Sequence, residues 1–244
     1  MSIPVSLSMP TLPSRNSAPQ PLVAGLLLRR RDTAVPAVVR DAVTTGPQIV
    51  AASILTAAAG TDADAGAVVI DLDIDPDELA GAVEHRALRY HVTCTTEQVE
   101  DAIRLRLPAP VTVFVTASDP SDPEAADAAS LAESAQLLAD AGHSPGLIAG
   151  SPADVVADFL AVLAHTSVGF VGRARDGAEV LALLSGTVAA LRGDDVRAAL
   201  SAPDPAALAA LIPEAAEAVR GVLLGIEVDD PDQIEGVLAD AGLL

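Results

Sequence analysis

Two stretches of this chain run apolar over several consecutive residues instead of alternating: AVVIDLDI at 67–74 and VTVFVT at 111–116. A strand with one wet face alternates apolar and polar residues, whereas a continuous run needs cover on both faces. Parallel sheets flanked by helices meet that need. Six further runs of strand length, at 22–28, 49–55, 88–94, 146–149, 168–173 and 222–228, bring the candidate strands to eight.

The segments between them begin with one repeated device. Asp75-Pro76, Asp122-Pro123, Ser151-Pro152, Asp204-Pro205 and Asp230-Pro231 each set a short oxygen acceptor before a proline. The oxygen accepts from free N–H groups of a first helical turn, and proline at the first helical position already has the required φ. Glu78, Gln98 and Gln233 stand three residues after Asp75, Thr95 and Asp230, the spacing of a capping box. Gly142 and Gly242 follow the same LADA sequence, where a helix end favours a left-handed residue. Val155, Phe159, Val162 and Leu163 mark the sheet-facing stripe of one helix.

Strands alternating with helices predict an α/β fold with parallel strands. Eight candidates favour a closed (β/α)8 barrel, with an open doubly wound sheet as the alternative. Residues 1–20, rich in Ser and Pro, are expected to be a flexible tail, and 21–244 a single α/β domain.

The net charge of −20 repels phosphate backbones, and no basic stripe with interleaved aromatics appears, so nucleic acid is excluded as a partner. All 14 basic residues are Arg. Without Lys, neither Schiff-base chemistry nor a phosphate-binding P-loop is available. Cys94 is the only cysteine, which rules out an intrachain disulfide and any CxxC site and suits a reducing cytoplasm. An inert buried thiol is the expectation there. The start of the chain lacks a basic region followed by an apolar core, and no apolar stretch reaches the ~20 residues that span a bilayer. A soluble, cytoplasmic protein is expected.

In either architecture, ligands bind at the carboxyl ends of the strands. That rule selects Asp71 and Asp73, which can hold Mg²⁺ or share acid–base work but more commonly cap turns. It also selects Thr116, Ser118 and Asp119, as hydrogen-bonding groups or turn formers. Gly150-Ser151-Pro152 opens a helix whose N–H groups can hold a phosphate, or is an ordinary serine cap. Arg173 and Arg175 can pair with an anionic ligand or with Asp176. The run Arg29-Arg30-Arg31 reads as a solvated strand end. None of His85, His91, His143 and His165 has metal-ligand spacing, so no metal is expected; His85 and His165 are placed near helix C-termini in a structural role. No catalytic residue is identifiable.

The segment 148–192, IAGSPADVVADFLAVLAHTSVGFVGRARDGAEVLALLSGTVAALR, resembles the C-terminal helix–strand–helix of bacterial luciferase-like oxidoreductases. The matching residues are Gly150, Ser151, Pro152, Val156, Gly169, Phe170, Leu191 and Arg192, and VTVFVTASDP is similar to an earlier strand of that family. The resemblance implies a TIM-type barrel using FMN or the deazaflavin F420. On it, Gly150, Ser151, Arg173, Thr116 and Ser118 become the candidate cofactor contacts, and a small-molecule substrate the partner. The chain shows no counterpart of the family's histidine-bearing strand ends in its front half, nor of its S-G-G-R turn. It also continues past Arg192. The second expectation is therefore a relative without cofactor, acting as a partner subunit or binding protein in a homo- or hetero-oligomer.

Overall fold

The computed structural model describes residues 20–36, 42–116 and 128–244. Eight parallel strands close into a barrel in sequential order: β1 (Leu27–Arg31), β2 (Thr45–Ala51), β3 (Asp64–Asp71), β4 (Glu84–Thr95), β5 (Val111–Thr116), β6 (Ser144–Leu147), β7 (Phe170–Ala174) and β8 (Leu223–Val228). β8 returns to β1 through Ile226 opposite Leu27 and Val228 opposite Arg29. The closed barrel is the architecture expected from the alternation, and the open sheet is set aside.

The helices are α1 (Ala52–Ala57), α2 (Val99–Arg104), α3 (Ala128–Asp140), α4 (Ala153–Leu163), α5 (Gly177–Arg192), α6 (Val196–Ser201), α7 (Pro205–Ala209), α8 (Pro213–Val222) and α9 (Pro231–Asp240). The cap at Asp204 accepts from Ala207 N and that at Asp230 from Gln233 N. Gln98 Oε1 accepts from Thr95 N, completing one side of that capping box. Asp75 caps a 3-10 turn rather than an α-helix. Gly142 (φ 81°) and Gly242 (φ 72°) take the left-handed conformation expected after their helices. Asp122-Pro123 lies outside the described residues.

Three expectations are corrected. The run 22–28 begins as a turn and becomes strand only at Leu27, because Leu22 and Val23 are buried against the barrel's outside instead of pairing. The run 49–55 is half strand, half helix: its apolar character continues from β2 into α1, whose Ala52 and Leu55 face the same outer core. On α4 the buried stripe is Val156, Phe159, Leu160 and Leu163, one position round from the expected one.

Two apolar layers and one plug make the core. Outward-facing strand residues pack under the helices, with Phe159 edge-on to Phe170 at 5.5 Å on one side and Val68, Ile70, Tyr90 and Val113 on the other. Inside, Leu28, Ile49, Val69, Phe114 and Val171 converge from five strands. The Phe114 ring needs the space that Gly146 leaves, since a Cβ there would lie 2.3 Å from it. A chain with so few aromatics fills its barrel with one of them.

Candidate functional site

Above that plug, toward the carboxyl ends of the strands, the inward side chains turn polar. Glu227 on β8 is the hub. It accepts from Arg173 Nε on β7 at 3.0 Å and from Arg30 on β1, whose other terminal nitrogen reaches Asp71 on β3 at 2.5 Å. His91 on β4 lies beside it, with Nδ1 3.7 Å from Glu227 Oε2. The Arg173 guanidinium also sits 3.9 Å over the Phe114 ring, and His91 meets that ring edge-on at 5.3 Å. Five strands thus contribute to one charged layer resting on an aromatic floor.

The electrostatics follow from burial. Desolvation alone would raise the Glu227 carboxyl, but facing His91 and two guanidiniums it is held down at about 2. Desolvation pushes the His91 imidazole below its ordinary value and outweighs the pull of Glu227. His91 is therefore neutral at pH 7, and neither ring nitrogen has a hydrogen-bond partner among the described residues. Asp71 serves this network rather than a cation. Asp73 accepts from Ser53 N at 2.9 Å and from the Ser53 hydroxyl at 2.5 Å, the capping role. Among the described residues no group of three or more His, Cys, Asp or Glu has metal-binding geometry.

The triple-arginine run is not a solvated end. Arg30 joins the network, and Arg31 is buried, donating to Gln48 Oε1 and to the carbonyls of Ala34 and Ala65. Only Arg29 keeps an open position, 3.9 Å from Asp232. Strand alternation turns Arg30 to the inner face, and Arg29 and Arg31 to the outer one.

The second cluster lies beside the first. Gly150, Ser151 and Arg173 line one cavity of about 130 Å³, together with Ile148, Leu183 and Glu179. Gly150 has φ 75°, and a Cβ there would lie 3.1 Å from the Arg175 guanidinium. Ser151 does not cap α4. Its hydroxyl donates back to Ile148 O at 2.8 Å, the helix starts after Pro152, and no side chain takes the N–H groups of its first turn. Arg175 is committed to Glu179 through its backbone N–H and its guanidinium. Thr116 donates to Cys94 O on the neighbouring strand and does not line this cavity. Ser118 and Asp119 lie outside the described residues.

Of the other histidines, His85 is corrected: it lies on β4, with Nδ1 2.7 Å from Val83 O, not at a helix end. His143 Nε2 contacts Ile103 O, and His165 follows α4 as expected. Cys94 is buried and its thiol is pushed up by burial, as expected of an inert cysteine. His91 and Glu227 were not singled out by sequence reasoning. The one signal for them was the polar beat of the inner face, as in LRYHVT around His91 and LGIEV at the end of β8.

Searches against family models, curated proteins and solved structures found no match. Among the described residues, no helix is long and apolar enough to cross a membrane.

Proposed function

We propose that the chain is a flavin- or deazaflavin-dependent oxidoreductase whose cofactor, FMN or F420, places a phosphate against Gly150, Ser151 and the start of α4. One observation carries this reading: the helix start, with its side-chain-uncapped N–H groups, shares a cavity with Arg173 at the carboxyl end of the barrel. Backbone N–H groups at a helix start and a guanidinium are both complementary to a phosphate. A cavity of about 130 Å³ suits that group alone. Whole-ligand pockets measure about 300–1,000 Å³, so the ring system would extend over the charged layer, near Arg30 and Asp71. The cofactor would supply the redox chemistry there, and the barrel would bind and orient it.

The second reading, a cofactor-free relative that serves as a partner subunit or binding protein, is favoured by the commitment of Arg173 to Glu227. A phosphate would have to share that guanidinium with a buried carboxylate.

The two readings separate on purified protein. The first expects a flavin or deazaflavin absorbance band, with the matching mass released on denaturation, or saturable uptake of FMN or F420 by colourless protein. Colourless protein that takes up neither cofactor supports the second and removes the first.

A further inference from the structure

The charged layer at the top of the barrel is balanced: Arg30 and Arg173 are answered by Asp71 and Glu227. Below it, on β4, is a half-buried guanidinium that no side chain among the described residues answers. Arg89 pairs with Val69 across β3 and β4, as His91 pairs with Asp71. Val69 packs with Leu28, Ile49, Phe114 and Val171, from four other strands, a meeting that only the barrel interior allows. Arg89 and His91 therefore share the inner face.

A bulge puts Arg89 there. Val68 and Val69 are consecutive on β3, but their partners Ala87 and Arg89 are separated by Leu88. Without the extra residue, Leu88 would face inward and Arg89 would point at the covering helices. Bulges re-aim side chains in this way and are common beside functional sites. Among the described residues Arg89 has no hydrogen bond or ion pair. One step up the wall, His91 and Thr112 are paired across β4 and β5 and both are fully buried. Both His91 nitrogens and the Thr112 hydroxyl also lack a hydrogen-bond partner among the described residues, although Glu227 stands 3.7 Å from His91 Nδ1. A buried polar atom without a partner is costly, and here three stand next to a half-buried cation.

We propose that the lower barrel binds a compact oxyanion, phosphate or sulfate or a small phosphoryl group, against Arg89, with His91 and Thr112 as its further hydrogen-bonding partners. Arg89 offers a planar fork of N–H donors suited to such an anion. Neutral His91 donates from one ring nitrogen, and the Thr112 hydroxyl supplies another donor. The ligand is small because Ile49, Val69, Phe114 and Val171 already fill the interior. It enters from the amino-terminal mouth, where Ala67, two residues before Val69 on the same face, is exposed. None of Arg89, His91 and Thr112 lines the cavity of Gly150 and Ser151, so the proposal stands whether or not a flavin binds.

The test titrates the full chain with inorganic phosphate, sulfate and glycerol 3-phosphate. Calorimetry follows binding, and NMR follows the His91 ring signals, assigned by their loss in His91→Gln. Saturable binding that moves the His91 signals, and that weakens at least tenfold in Arg89→Gln but not in Arg197→Gln, is the expected result. Arg197 is an exposed residue paired with Asp158. Glycerol 3-phosphate binding like phosphate would identify a phosphoryl group on an organic carrier; phosphate alone would identify the free ion. Binding that leaves the His91 signals unmoved belongs to another site and overturns the proposal, as does the absence of saturation by all three anions. Both outcomes are read on the unmodified chain, so they stand even if Arg89→Gln fails to fold.

Discussion

Glu227 concentrates more of the molecule's electrostatics than any other described side chain, because two guanidiniums and an imidazole converge on one buried carboxylate. Removing its charge leaves Arg30 with Asp71 alone and Arg173 with only the Phe114 ring. Breaking a buried ion pair from one side costs about 3–5 kcal/mol, so Glu227→Gln should lower the unfolding free energy by about 3 kcal/mol, read from urea melts at neutral pH. The same residue gives an acid dependence. Its carboxyl lies at about 2 when folded, against 4.5 ordinarily, so its stabilisation is complete above pH 4.5 and is lost as pH falls toward 2. His91 acts in the same direction from higher pH. Its folded value lies below 6.5, so the unfolded chain takes up a proton first and stability declines as pH drops through that region. Stability should therefore fall in two stages on acidification, and Glu227→Gln should shrink the lower one, to which Asp73, held down by its Ser53 hydrogen bonds, also contributes. A variant with an unchanged slope between pH 4.5 and 2 would count against Glu227 as the hub.

Among the elements, α9 shows how a locally encoded helix becomes part of the fold. Asp230 and Pro231 start it, but ten residues make a marginal helix in isolation, so burial must hold it. Ile234 and Leu238 are fully buried, and Val237 fits over Gly177, where even a Cβ on α5 would lie 2.7 Å away. Leu238→Ala should cost about 2–5 kcal/mol, seen as a lower thermal midpoint; an unchanged midpoint would show that α9 contributes little to the fold. That stripe was legible in the sequence because one face is dry and the other wet. β3 and β5 were legible for the related reason that they run apolar over consecutive residues under covering helices. Legibility ended where burial and polarity stop being opposites. Inside the barrel, Arg30 and Arg173 meet Glu227 across 197 and 54 residues of chain. No local pattern records such partners. Gly150, Ser151 and Arg173 were found together because strand ends are a topological rule; Thr116 shares the rule but faces Cys94.

At the scale of the whole molecule, closure is what gives every strand two neighbours. β8 is held by β7 on one side and β1 on the other and carries Glu227, so the last strand completes both the wall and the charged layer. A chain ending at residue 222 would expose the edges of β1 and β7, which are templates for pairing with other copies. Such a truncation should abolish the cooperative melt and run as aggregate on size-exclusion chromatography; a monomeric, cooperatively melting product would mean that seven strands suffice. One further consequence comes from the outer wall. Tyr90 is the chain's only tyrosine and there is no tryptophan, and this ring is buried back to back with His91 on β4. The intrinsic fluorescence of the protein thus arises from a single known position. A yellow chromophore seated over the barrel mouth would quench it by energy transfer, and events inside the barrel would alter it through one strand's thickness, so the unlabelled molecule carries its own optical gauge.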